Sequence, residues 1–352
     1  MLLLKLGSFH LIASEYWEIE GVGLQWSSFP PISGYHMAFL ASIGQIFVTI
    51  CLPLFILMGV GWLLDRKFTL DLSTLVKLNI YVLVPCFIFV RVYSSKVVMS
   101  TAAPVFLFTL TVLACLLMLS VLVSLRQSAA QRKTLMLAMF YNCGNYGIPL
   151  TALAFGPQAT EIQVFALLAM NISTFSLGML IAASQGKDKP SADAPNRQPR
   201  APWLLILRQP SIYAISLAFL LKPMELDIAS ISWLWTPLSY TADALIGFAL
   251  LTLGVQLSKT RPSKLRGPVS CALLLKLAIA PLIAWPLTML FGFEPETARI
   301  LIAGAAAPTA INTALLAHEF DGDSQFAASA VFYSTLASVV TVSVVLALLG
   351  AG

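Results

Sequence analysis

Two stretches of the 352-residue chain combine residue types that do chemistry inside an apolar environment. The first reads Tyr141-Asn142-Cys143-Gly144-Asn145-Tyr146-Gly147-Ile148-Pro149, and the second Gly304-Ala305-Ala306-Ala307-Pro308-Thr309-Ala310-Ile311-Asn312. Proline removes a helical hydrogen bond and clashes with the preceding turn, and glycine lifts the steric bar to an unwound backbone. Asparagine amides are costly in lipid unless they are partnered or face a cavity. Each stretch therefore reads as a break within an apolar helix. Free N–H groups and positive dipole ends at such a break favour an anionic group such as a carboxylate. Asn142, Gly144, Asn145, Gly147, Pro149, Pro308, Thr309 and Asn312 are the candidate binding residues. Asn171 joins them because its segment adjoins the first break in sequence. The competing reading is a proline kink with small residues for tight helix packing. It is weaker for two paired breaks than for one.

Two charged residues also fall inside apolar segments, and intramembrane charge is a functional signal by default. Lys276 lies about ten residues from the basic end of its segment, about 15 Å of helix, which is far for snorkelling. It is expected to balance substrate charge or to pair with a protein carboxylate. Asp243 is a candidate proton-coupling carboxylate if it lies deep, and an interfacial residue if its helix starts late. Asn79, Gln163 and Gln256 read more readily as interhelical hydrogen bonds than as ligand contacts. The cysteines at 51, 86, 115, 143 and 271 are scattered singly, and the three histidines are far apart, so no metal site and no disulfide framework is expected. No GxxxxGK[ST] motif occurs, and no catalytic constellation sits in an apolar segment. No catalytic residue and no cofactor is therefore expected, and the chain does not read as an enzyme.

The elements that must position these residues follow from composition. Hydrophobic residues make up 58% and charged residues 11%, and mean hydropathy is +0.85. So little charge cannot cover a soluble surface of this length, which leaves a polytopic membrane protein. Ten apolar segments are long enough to span: about 38–64, 72–93, 101–124, 134–156, 161–184, 203–221, 233–257, 267–291, 298–318 and 325–350. Lipid offers no backbone partners, so these are expected to be helices. The net charge of +5 points to no nucleic acid once its carriers are located. Arg66, Lys67, Lys77, Arg126, Arg132, Lys133, Lys187, Lys189, Arg197, Arg200, Arg208, Lys259, Arg261, Lys264 and Arg266 lie in or beside odd-numbered loops. Positive-inside places those loops in the cytoplasm and both termini outside.

Residues 185–202, rich in Pro, Ser, Ala and charge, read as a flexible cytoplasmic linker between two five-helix halves, 38–184 and 203–352. An odd number of spans per half inverts the second half. Pro53 with Pro210, Pro149 with Pro308, and Ser173-Thr174 with Ser334-Thr335 share nearly one offset of about 160 residues, which supports an inverted repeat. The expected fold class is thus all-α, ten transmembrane helices in a 5+5 inverted repeat with helices 4 and 9 broken. Residues 1–37 form an N-terminal extension. It reads either as an interfacial segment or as sequence ahead of the true start at Met37.

Asn142 followed by Gly147-Ile148-Pro149 resembles the fourth-helix crossover motif of the auxin efflux carrier family, which includes the plant PIN carriers and many bacterial permeases. Ala307-Pro308 through His318-Glu319-Phe320, Ser329–Ser338, Leu83-Val84-Pro85, and Lys276 with Pro281 are similar to other parts of that family. The resemblance covers about residues 38–350 and is nearer to the bacterial branch, because the central loop is short. It implies a scaffold of helices 1, 2, 6 and 7 that often forms a homodimer, and a moving domain of helices 3–5 and 8–10. It implies a small organic anion as substrate, a mono- or dicarboxylate, with Asn142 at the carboxylate. Asn312 has no family counterpart and rests on position alone. The expected function is secondary transport across the cytoplasmic membrane by alternating access, driven by a proton gradient or the membrane potential. The alternatives are a Na⁺-coupled symporter and a non-transporting receptor for the same ligand class.

Overall fold

A computed structural model describes residues 32–95, 99–186, 209–224, 226–265, 267–320 and 322–351. The extension before residue 32, most of the 185–202 linker and the expected start of the sixth span lie outside the described residues. The described chain is all-helical, with no strand among the described residues. Seven of its helices are long and apolar enough to cross a membrane: α1 (Phe39–Phe68), α2 (Leu72–Ser94), α3 (Ser100–Val123), α6 (Ala159–Gln185), α8 (Ser232–Lys259), α9 (Gly267–Leu290) and α12 (Ser324–Leu348). The shorter ones are α4 (Ala129–Ala138), α5 (Ile148–Phe155), α7 (Pro210–Leu221), α10 (Pro295–Ala305) and α11 (Ile311–Glu319). The chain is therefore a multi-pass, helical membrane protein.

Prolines set the local shape of four of these elements. A helical proline loses its i→i−4 bond and collides with the carbonyl behind it. Here the preceding turn widens to a π turn, which takes up the misfit without ending the helix. The π turns Phe47–Cys51, Asn79–Leu83, Cys143–Gly147 and Leu275–Ile279 each end two residues before a proline: Pro53, Pro85, Pro149 and Pro281. A fifth, Thr174–Gly178, has no proline behind it. Asn79, Asn145 and Lys276 all sit in these widened turns.

Glycines set the closest crossing. A Cβ on Gly61 would lie 2.1 Å from the Leu251 carbonyl oxygen, and one on Gly254 would lie 1.9 Å from that of Met58. The backbones of α1 and α8 thus touch at two points, each made possible by a missing side chain, the small-residue packing expected between helices in lipid. The ends of the two helices are tied by the Lys259 Nζ–Asp65 Oδ1 ion pair at 2.9 Å. Beside them α7 packs along the second half of α2. Lys222 Nζ, just past the end of α7, donates to the carbonyl oxygens of Ser95 at 2.6 Å and Val92 at 3.3 Å.

Candidate functional site

The two singled-out stretches meet. Helix α4 stops at Ala138, and helix α10 stops at Ala305. The strands of chain that follow run antiparallel and bond to each other. Asn142 N–H donates to Pro308 O at 2.8 Å, and Ala310 N–H donates to Phe140 O at 2.7 Å, with Tyr141 opposite Thr309. This exchange answers the main objection to unwound chain at membrane depth, because each stretch supplies the other's backbone partners. Thr309 reinforces it: its hydroxyl donates to Ala138 O at 3.0 Å, and its N–H donates to Ser334 Oγ at 3.1 Å. Beyond the crossing the chain re-enters helix at Cys143 and at Ile311, so two helix starts flank the crossing.

Asn142 is placed by this geometry. Its Oδ1 accepts from Asn145 N–H at 3.1 Å and so caps the turn that leads into α5. Its Nδ2 is buried and has no partner within the protein. Asn145 Oδ1 in turn accepts from Asn79 Nδ2 of α2 at 2.8 Å. A cavity of about 70 Å³ opens here. Asn142, Gly144, Asn145, Asn171 and Asn312 line it, together with Tyr141, Asn79 and Gln256. Gly147, Pro149, Pro308 and Thr309 do not line it; they shape the backbone that does.

Gly147 and Gly304 have a shared purpose that spacing does not reveal. A Cβ on Gly147 would lie 2.8 Å from Gln163 Nε2, and one on Gly304 would lie 2.7 Å from Gln163 Oε1. The fully buried Gln163 of α6 is wedged between the two, with Nε2 donating to Cys143 O at 3.4 Å. Sequence reading gave Gln163 only as a generic interhelical contact. Its signal was the pair of glycines, which cannot be assigned to it without the fold.

Lys276 is 0% exposed. Its Nζ donates to Ala305 O at 2.6 Å, at the C-terminal end of α10, where the helix dipole is negative. It also stands 4.6 Å from the centroid of the Tyr141 ring. Tyr141 also lines the cavity. Asp243 lies elsewhere: its side chain is 64% exposed and accepts from Arg91 Nη2 at 3.0 Å. It does not line the cavity. Gln209 and Ser211 line it without having been singled out; as ordinary residues at the start of α7 they carry no sequence signal.

A profile of the membrane transport protein family matches residues 46–346. An uncharacterized transporter from Methanothermobacter thermautotrophicus is 28% identical over 209 residues, which is 58% of this chain and 63% of that relative's length. The matched span takes in the crossing, the cavity and every helix from α2 to α11, and the chain belongs to the membrane transport protein family, that of the auxin efflux carriers.

Proposed function

We propose that this transporter carries a small organic anion by alternating access. Asn142 carries the reading: a buried amide nitrogen without a partner, facing a cavity between two helix starts, suits a carboxylate oxygen. Lys276 supplies buried positive charge beside Tyr141, a residue of the cavity lining. In this reading α4 with α5 and α10 with α11 each make one crossing, α7 makes another, and the total is ten in a 5+5 inverted repeat. The first, second, sixth and seventh crossings (α1, α2, α7 and α8) form the scaffold, and the others move. The protein sits in the cytoplasmic membrane with both termini outside, and a proton gradient or the membrane potential drives it.

The cavity's position supports an inward-facing state. Val76 near the start of α2, Ser211 near the start of α7 and Gln256 near the end of α8 all line it. Those helix ends adjoin the basic loops that positive-inside places in the cytoplasm. At the other end Phe165 of α6 meets Phe219 of α7, ring centroids 6.0 Å apart, which closes the seam between mover and scaffold. Counterflow in proteoliposomes preloaded with single carboxylates tests the proposal. Accumulation of a labelled carboxylate that is lost in a folded Asn142→Ala protein is expected. Counterflow that survives Asn142→Ala unchanged rejects the site.

A further inference from the structure

The cavity has two unlike walls. The crossing supplies a polar one, where Asn142, Gly144 and Asn145 stand at the start of helix. The other is apolar and comes from two helices. Val76, Ile80 and Val84 recur at every fourth residue of α2, a spacing that puts them on one face, and Leu167, Met170 and Phe175 of α6 also line the space. Val84, Leu167 and Met170 are buried and the other three half-buried. No residue around the cavity is a Lys, Arg, His, Asp or Glu. In the proposed division α2 belongs to the scaffold and α6 to the mover, so the apolar wall is shared across the seam.

A carboxylate held at the helix starts leaves the rest of its molecule against α2 and α6. Methylenes placed there leave water for aliphatic and thioether surface, and each is worth roughly fourfold in affinity. A second carboxylate there would lose its hydration against side chains that return neither hydrogen bond nor charge. Lys276 is the one fully buried cation among the described residues, and it balances one negative charge, not two. Size sets a further limit. At about 10–15 Å³ for each water-sized group, 70 Å³ holds about five to seven non-hydrogen atoms. The carboxylate takes three of these, which leaves about two to four carbons. We infer that the cavity takes a short aliphatic monocarboxylate, between propionate and valerate in size, and rejects dicarboxylates, with Ile80 of α2 and Met170 of α6 as specificity-determining residues. This rests on the proposed function, in which the cavity is the carboxylate site.

The test is equilibrium binding to the full chain in lipid nanodiscs at neutral pH and fixed ionic strength, counted above protein-free nanodiscs. The probes are the straight-chain series from acetate to hexanoate, and malonate, which has as many non-hydrogen atoms as valerate. Affinity should rise roughly fourfold per methylene as far as butyrate or valerate and rise no further at hexanoate. Malonate should bind at least roughly a hundredfold more weakly than valerate. Ile80→Ala and Met170→Ala each enlarge the apolar side, so the best chain should lengthen by about one or two carbons while acetate affinity stays in place. Ile80→Lys, which sets a cation on that wall, should narrow the gap between malonate and valerate. Asn142→Ala should weaken the whole series by one common factor, because it meets the carboxylate alone. Affinity indifferent to chain length, affinity still climbing at hexanoate, or malonate binding as tightly as valerate overturns the inference and leaves the carboxylate site standing. A length optimum unchanged in both folded alanine variants puts the chain elsewhere and overturns it too. Binding of none of the probes overturns the proposed function along with the inference.

Discussion

Replacing Lys276 by methionine isolates the contribution of one buried charge. The ammonium lies 4.6 Å from the Tyr141 ring centroid. A carboxylate resting on the opposite face of that ring would stand about twice as far off, roughly 9 Å from the nitrogen. At an effective dielectric of about 20, opposite unit charges at ~9 Å attract by about 2 kcal/mol. That corresponds to roughly 20- to 30-fold in Kd. The fold should tolerate the change. Ala305 O loses a charged donor, worth about 1.5–3 kcal/mol. Against this, the desolvation cost of a fully buried ammonium disappears, and methionine fills much the same volume. Competition binding with a monocarboxylate, repeated from low to high salt, reads the effect. Because the pair is shielded from solvent, the ratio of mutant to wild-type Kd should hold across the salt series. A folded Lys276→Met protein with Kd within about twofold of wild type would show that the ammonium serves the α10 terminus alone. A loss that fades with salt would place the charge outside the site.

Asn142→Asp keeps the acceptor that caps Asn145 N–H but turns the free donor into a negative charge, so anion binding should vanish with melting little changed. Asn142→Ala should lose binding and also about 1 kcal/mol of cap stability, read as a lower melting temperature. Gly254→Val should cost about 3 kcal/mol or more, because its Cβ would meet the Met58 carbonyl at 1.9 Å and neither backbone can yield cheaply. Gly247→Ala, also on α8 but with open space at its Cβ, is the matched control and should melt like wild type in a detergent thermal shift. At the start of α2, the Thr74 hydroxyl and then the Ser73 and Thr74 N–H groups hold the Asp71 carboxyl below the usual aspartate range. A depressed folded value means the cap is intact above the unfolded value and is lost as pH falls through the folded one. Hydrogen exchange at the Ser73 and Thr74 amides should therefore accelerate only below about pH 4, and near neutrality only in Asp71→Ala. Phe165→Ala removes an aromatic contact worth about 0.5–1.5 kcal/mol and should raise labelling of outward-facing cysteine probes roughly two- to tenfold.

Much of this was legible because lipid removes options. Apolar length forces helices, and the run Asn142 to Pro149 cannot be read as an undisturbed one. Where the chain leaves helix was less accessible. Proline is the sequence's marker of a break, yet Pro149 stands in the first turn of α5, and the unwound chain lies before it; Pro308 does stand inside its break. The difference is one of partners. Cys143–Gly147 can close into a π turn ahead of Pro149, whereas Ala306–Ala310 bonds across to Phe140 and Asn142 instead. No local rule encodes that exchange, because each stretch needs the other to be unwound first. For the same reason sequence singled out Asn142 but ranked Asn79 and Gln256 low: a single polar residue on an apolar helix looks alike whether it faces a neighbour or a cavity. Asp243 shows the converse. Sequence left its depth along α8 open between a buried and an interfacial place, and because its partner Arg91 lies on α2, only the packing of the two helices reveals the pair.

The distribution of contacts supports a division into scaffold and mover. Within the proposed scaffold, Gly61 and Gly254 bring main chains into contact, and sliding there would break backbone packing that no rotamer change could restore. Within the proposed mover, the crossing is knitted by main-chain bonds from Asn142 and Ala310, with Gln163 wedged between Gly147 and Gly304. Either group deforms only at high cost. Between them lie softer things, among them the cavity itself, the Phe165–Phe219 edge, the Asn79–Asn145 bond and the side-chain contact of Cys51 on α1 with Ser343 on α12. Aromatic rings can separate and re-pack, and an amide pair can exchange its partner for a ligand or for water, each within about 1–2 kcal/mol. A ligand that occupies Asn142 and Asn79 together would bridge the same seam. Its binding then bears directly on whether the two groups stay apart or close, which is the coupling that transport requires.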